Sequence, residues 1–368
     1  MFRPFVPGRR VSFLRHTATA LLAAGFICAA TPLFAQVTLP PISVGGGIRT
    51  SFVHTDPDSG TSTDQFLLNS ARLYFNGPVT EQIKFMFNTE YQYAGNTSTI
   101  GVLDAAVRIE MKPEFNIWMG RMLPPSDRAN LAGPYYNHHW NVYSDGVQNG
   151  QPSITIGSAP SFTGRDNGIV YWGDFKDKKV KVAVGAFDGA SLTGGVSDKI
   201  LAAARIQIDF WDAEEGYYLN GTYYGDKDLL AIGGSTQVQS GKTASTVDFL
   251  MEKKMGNGGV VSVESQYTNY NGLGGYVAGY KSQGAYGLAS YLFPQMIGTG
   301  QIEVLGKYGS AQFTHGTSPS FRWETTEVNV SYVIKQFNAR IVAFYQNYNY
   351  TNSTPDTWKG GLGMQIQM

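Results

Sequence analysis

The sequence predicts an all-β chain closed as a transmembrane antiparallel β-barrel of 16 strands, with 18 as the alternative count. Segments of roughly ten alternating residues recur from Pro41 to the end, and their connections are by turns short and long, as in barrels with tight turns at one rim and loops at the other. After residue 35 no apolar run approaches the roughly 18 residues of a spanning helix. Only 42% of the chain is apolar and 15% charged, with 44 Gly and 22 Tyr, a balance that favours β structure with many turns.

Residues 1–35 stand apart. Arg3, Arg9, Arg10 and Arg15 precede the apolar stretch "TALLAAGFICAA" and then "PLFAQ", the pattern of a secretory signal peptide cleaved after Ala35, or alternatively Ala30. Bulky Ile27 before Cys28 argues against a lipoprotein signal, and "RRVSFL" is one residue out of register for a twin-arginine signal. Cleavage removes the single cysteine, so the mature chain forms no disulfide. It also removes four Arg, leaving 24 Lys+Arg against 28 Asp+Glu in residues 36–368, a balance unsuited to nucleic acid.

Along the mature chain, a strand near Ile42 to Val53 leads into the polar connection "HTDPDSGTSTDQ". After the turn "NGPVTEQ", Ile83, Phe85, Phe87 and Tyr91 alternate with Lys84, Met86, Asn88 and Glu90. Leu103, Ala105, Val107 and Ile109 then alternate with Asp104, Arg108 and Glu110, and "MKPEF" turns into a strand at Phe115 to Arg121. Later pairs of faces are Val261, Val263, Tyr267 against Ser262, Glu264, Gln266, and Val328, Val330, Tyr332 against Glu327, Asn329, Ser331. Lipid on one side and water on the other accounts for each split. Further tight turns are "FKDKK", "KMGNGG", "FPQMIGTG" and "IKQF", and further long connections "FDGASLTGGVSDK" and "THGTSPS". The count of 16 treats "DFWDAEEGYYLNGTYYGDKD" as one extended connection on the short-turn side; read as a hairpin it gives 18. Tyr91, Tyr93, Tyr345, Tyr348 and Trp358 fall near strand ends, where aromatic rings suit a membrane boundary. In the closing segment "TWKGGLGMQIQM", Trp358, Leu362, Met364, Ile366 and Met368 share one face, so the last strand is expected to pair with both the first and the preceding strand.

One connection exceeds the others: about 40 residues, at about 122–165, between the strand ending at Arg121 and one beginning near Asp166. Loops of this length are commonly functional, and an aromatic one inside a barrel of this size is expected to fold into the lumen and narrow it. The inward positions carry Arg49, Arg72, Lys84, Arg108, Arg121, Arg205, Lys307 and Arg340, with Arg128 and Arg165 on or beside the long loop. Guanidinium groups lining water can pass an anion along by paired hydrogen bonds. The competing reading is that inward bases and acids pair with one another, as Arg72, Glu90, Arg108 and Glu110 can.

Chemistry is not expected. "TQVQSGKT" has Thr236 where a phosphate-binding loop requires its first glycine, and reads as a surface loop. His138 and His139 are adjacent and diverge on a strand, so no metal site is assigned. No Ser/His pair with an orienting third group stands out, and no cofactor is implied.

"NSARLYFNGPVTEQIKFMFNTEY", "EFNIWMGRMLPP", "GRDNGIVYWGDFKDKKVKVAVGAFDG" and "DLLAIGGSTQVQ" resemble, in order and spacing, the phosphate-selective porin (O and P type) family of bacterial outer-membrane barrels. The resemblance covers most of the mature chain and is most specific at Gly164-Arg165-Asp166 through Gly173 and at Gly120-Arg121 with Pro124-Pro125. It implies a sixteen-stranded, trimeric barrel in outer-membrane lipid, exported through the periplasm and conducting small solutes, with anions or phosphate preferred. Phosphate-selective members carry a lysine cluster at the mouth; here Lys176, Lys178 and Lys179 lie in a short turn at the other rim, which supports a less selective porin equally. Two further readings are a barrel serving as scaffold or sheath for a partner protein, and a secreted soluble β-rich binding protein.

Overall fold

The computed structural model describes residues 41–94, 97–148, 164–189, 199–274, 281–316 and 318–368, so the expected signal peptide lies outside the described residues. The strands are β1 (Ser43–Pro57), β2 (Thr63–Pro78), β3 (Ile83–Ala94), β4 (Thr97–Lys112), β5 (Phe115–Met122), β6 (Asp166–Phe175), β7 (Val180–Phe187) and β8 (Leu201–Asp209), then β9 (Leu229–Gln239), β10 (Lys242–Lys254), β11 (Val260–Asn271), β12 (Lys281–Ile297), β13 (Gly300–His315), β14 (Ser318–Lys335), β15 (Ala339–Tyr350) and β16 (Thr357–Gln367). Each pairs with its neighbours in sequence, and β1 pairs with β16, so the sheet is a closed antiparallel barrel of sixteen strands. The seam runs from Gly47↔Gln367 to Pro57↔Thr357. It ends in two backbone hydrogen bonds between Gly46 and Met368. Closure gives every strand two neighbours, though β2 and β3 pair only from Tyr74↔Asn88 to Pro78↔Lys84, beyond which Ala71 N and Leu73 N donate to the side chains of Glu90 and Thr89.

The side chains are distributed inside out relative to a water-soluble protein. On β11 Ser262, Glu264 and Gln266 are buried while Tyr267 is exposed; on β14 Glu327, Asn329 and Ser331 are buried while Val328 and Val330 are exposed. Leu362, Met364 and Ile366 of β16 also face outward, exposed by 50%, 44% and 61%. Two face assignments change. A β-bulge where Asn88↔Asp104 is followed by Thr89↔Val102 makes Leu103 the extra residue, and it is buried beside Asp104 instead of facing lipid. Tyr348 points inward with Phe344 and Gln346, and its hydroxyl donates to Gln346 Oε1; Tyr345 faces outward and stacks on Trp358 at 6.0 Å. The side chain of Tyr93 lies outside the described residues.

The two rims also differ from the simple alternation. "TQVQSGKT" is not a loop: β9 and β10 are joined by Ser240 and Gly241 alone, with φ 51° and 76°, the paired positive φ values of a tight hairpin turn. Conversely, residues 210–228 on the short-turn rim form no strand, which leaves the count at sixteen.

Candidate channel through the barrel

Two segments enter the barrel, one from each rim. The first follows β5 and contains the short helix α1 (Arg128–Tyr136). Asp127 caps it by accepting from Asn130 N at 3.1 Å. Gly133, at φ 62°, and Pro134 break its regularity. The chain then crosses to the far wall, where Asn329 Oδ1 accepts from Trp140 N at 2.8 Å. Arg340 donates to His138 O at 3.0 Å, and Arg49 donates to Trp140 O at 2.8 Å. Glycines on the wall make room for its rings: a Cβ on Gly47 would lie 2.7 Å from Tyr135, and one on Gly363 would lie 2.3 Å from Trp140. Residues 149–163 of this connection lie outside the described residues.

The second segment, residues 210–228, rises from the short-turn rim and meets the first. Glu214 accepts two bonds from Arg128, at 2.8 and 2.6 Å, and both side chains are fully buried. Burial alone would raise the Glu214 carboxyl; the Arg128 guanidinium beside it, with bonds from Tyr223 and Gln207, outweighs this and holds it at about 2. Tyr217 donates to Leu123 O at 2.7 Å, and Gly221 N to Tyr136 O at 2.8 Å. Glu252 on β10 anchors the segment's end through Thr222 and the backbone of Tyr223 and Gly225. Trp118, Trp172, Tyr217 and Tyr218 pack ring on ring between the segment and the wall.

The inward cations consequently fall into two sets. Arg205, Lys307 and Arg340 of the wall are buried under the segments, and Arg128 is buried within the first of them. Arg205 makes a two-pronged contact to Asp248 at 2.5 and 2.8 Å. Lys307 donates to Asp145 at 2.5 Å and to Gln148 at 2.8 Å. Beside them His138 Nε2 lies 2.6 Å from Glu303 Oε1. Burial disfavours its charged form, yet the Glu303 carboxylate prevails and raises the imidazole above its usual value. His139, 2.9 Å from Lys307 Nζ, is driven well below it by burial and by that ammonium.

The other set lines space. A cavity of about 530 Å³ opens at the short-turn rim among Arg72, Arg108, Arg165, Asp104, Tyr218 and Leu219, among others. A second, of about 300 Å³, lies toward the long-loop rim among Arg49, Arg72, Glu90, Trp140 and Tyr143. Arg72 belongs to the lining of both, and the Tyr135 ring lies 4.9 Å from its guanidinium. Arg72 Nε donates to Glu90 at 2.5 Å and Arg165 Nε to Asp104 at 3.0 Å. Arg108 lies 3.7 Å from Glu110 and 5.3 Å from the Trp118 ring. Lys84 bonds Glu110 at 2.7 Å beside a separate rim cleft. Arg121 departs from its inward assignment: it follows Gly120, at φ 135°, and shares the register of outward-facing Met119. Acid–base pairing is thus extensive, as the competing reading expects, including Arg72 with Glu90 and Arg108 with Glu110.

What the sequence reading missed is the second segment, with Glu214 and its tyrosines, and the inward ion pair of Lys181 with Asp174. A signal was present: "EEGYYLNGTYY" is too long and too aromatic for a solvated turn.

Solved structures share this architecture. At TM-scores of 0.59, 0.58 and 0.53, and 12% identity in each case, the chain is similar to an anion-selective porin from Comamonas acidovorans (90% of this chain, 100% of that one), to OmpF of Salmonella typhi in complex with daunomycin (89% and 98%), and to OmpT of Vibrio cholerae in a trimer form (89% and 99%). The fold is that of outer-membrane porins. No protein-family model and no curated protein sequence matches the chain.

Proposed function

We propose that this protein is an outer-membrane porin, a passive diffusion channel for small hydrophilic solutes with a weak preference for anions, and that it catalyses no reaction. The observation that carries this is the lining of the two cavities that share Arg72: their charged side chains are Arg49, Arg72, Arg108 and Arg165 against Glu90 and Asp104. A positive excess on an aqueous path selects by sign. Arg128, Arg205 and Lys307 are buried and line neither cavity, and they are assigned no part in permeation. The first segment is the constriction of the channel.

An apolar outer face and a polar interior suit a barrel spanning lipid, with the short turns toward the periplasm, reached after signal cleavage. A homotrimer is the proposed assembly, by likeness to the trimeric Vibrio cholerae structure. The phosphate preference of the family that the sequence resembles is not part of the proposal, because Arg72, Arg108 and Arg165 each have a carboxylate neighbour and neither cavity is lined by a lysine. A sheath for another protein fits less well, since this chain's own two segments occupy the interior. Reconstitution in planar bilayers, with reversal potentials in a salt gradient, tests the proposal: conductance with modest anion selectivity is expected, and no conductance or clear cation selectivity overturns it.

A further inference from the structure

The lower cavity is amphipathic to a degree that a passage for hydrophilic solutes does not require. Its polar lining is Arg72, Arg108 and Arg165, of which Arg165 is paired with Asp104, together with Asn76 and Asn88. Its apolar lining consists of Leu123, Leu131, Ala132 and Leu219, with the rings of Tyr136 and Tyr218, and of Met86, which lies beside Asn76 on the wall. These come from four places, β3, the start of the first segment, α1 and the second segment, so the apolar side exists only because the two segments meet. Met86, Leu123, Leu131 and Leu219 belong to one buried cluster, which also contains Trp118 and Tyr217. The cavity therefore exposes an edge of a packed core.

The polar side offers positive charge. Arg72 is buried, and while its Nε is committed to Glu90, its Nη2 has no hydrogen-bond partner among the described residues. That nitrogen is itself covered, with the Tyr74 hydroxyl near the guanidinium, so what Arg72 presents to the cavity it lines is positive charge. Arg108 Nε is likewise unbonded, 3.7 Å from Glu110. At about 530 Å³ the space falls within the range of small-molecule sites, which combine an apolar lining with a few placed polar groups.

Resting on the porin reading above, we infer that the lower cavity is a binding station for monoanions with a compact apolar body, such as aryl or branched alkyl carboxylates. The carboxylate lies against Arg72 and Arg108, and the body lies against Leu131 and Leu219. Charge then decides entry, and apolar contact lengthens residence. A small inorganic anion uses only the first of these, and a neutral ring only the second. No bond is made or broken.

The test records chloride currents through reconstituted protein with acetate, benzoate or benzyl alcohol added on the short-turn side. Benzoate is expected to interrupt the current with a dwell time on the order of tenfold longer than acetate, the scale that partial burial of a ring supplies. Benzyl alcohol is expected to produce no resolved interruptions. In Leu131→Asn and Leu219→Asn the ratio of benzoate to acetate dwell times should fall several-fold, and Leu131→Met should keep it. The wild-type comparison decides the matter even if an Asn variant fails to assemble. Equal dwell times for benzoate and acetate, with a normal chloride current, overturn the inference alone. Absence of any chloride current overturns the porin reading and the inference with it.

Discussion

The lumen has two walls that use the same residue types to opposite ends. On the β1–β4 wall, Arg72 and Arg108 border open space, and Arg49 does so while also holding Trp140 O of the first segment. On the β8–β14 wall, Arg205 and Lys307 are almost completely buried, bonded to Asp248 and Asp145, and covered by the two segments. An arginine in a barrel interior is thus a pore group or a fastening according to what lies over it. The covering segments decide which.

Both walls depend on the seam, so disrupting it should have the largest effect. Deleting residues 366–368 removes the pairings of Ile366 with Ile48 and Gln367 with Gly47, and the bonds between Met368 and Gly46. Unassembled protein in the periplasm is expected; normal surface yield of the truncated chain would refute the seam's importance. Met368→Phe, at an exposed side chain, should assemble at least as well as the parent by the same surface-yield assay.

Next in size is the junction between the segments. Arg128 and Glu214 are buried together, and removing one partner of such a pair costs about 3–5 kcal/mol, since the other charge is stranded. Glu214→Ala should lower the unfolding free energy from denaturant titration by that order and raise single-channel conductance as the segments part. Acid should act similarly. The Glu214 carboxyl is depressed from 4.5 to about 2, so its contribution is complete above pH 4.5 and is lost as pH falls toward 2. Loss of stability over that acid interval in the parent, and its absence in Glu214→Gln, is the outcome expected in pH-dependent unfolding.

A smaller effect separates the walls directly. Arg72→Gln should move the reversal potential toward cations, whereas Lys307→Gln should destabilise the protein and leave selectivity nearly unchanged. Equal shifts in the two variants would erase the distinction between pore group and fastening.

The barrel was legible in the sequence because period-two alternation is imposed by the backbone itself, and turns such as "FKDKK" announce strand ends locally. Closure followed from the alternation in "TWKGGLGMQIQM". The site was legible only in part. That Arg72 and Arg205 share an inward register can be read from parity, but what covers each is set by contacts such as Arg128 with Glu214, 86 residues apart. Nothing local to Arg205 foretells Asp248 and Ser126. Gly47 and Gly363 look like loose strand residues in sequence, and only the rings of Tyr135 and Trp140 explain them.

The smallest expected effect concerns how the first segment is held to the fastened wall. His138 belongs to that segment, Glu303 to β13, and Ser290 on β12 lies 3.1 Å from the same imidazole nitrogen. Because the imidazole is raised above its usual 6.5, its charged contact with Glu303 contributes stability that is complete below about pH 6.5 and is lost as pH rises through the higher folded value. His139, beside Lys307, is depressed, so it is already neutral in that interval and adds no opposing change. The first segment should therefore loosen modestly on the alkaline side, read as a gradual rise in current noise or in cleavage after residue 137 by added protease. Glu303→Gln should abolish that pH dependence while Arg340 still holds His138 O. A parent whose current noise is flat from pH 6 to the alkaline range would show that the Arg340 and Asn329 contacts hold the segment without the imidazolium.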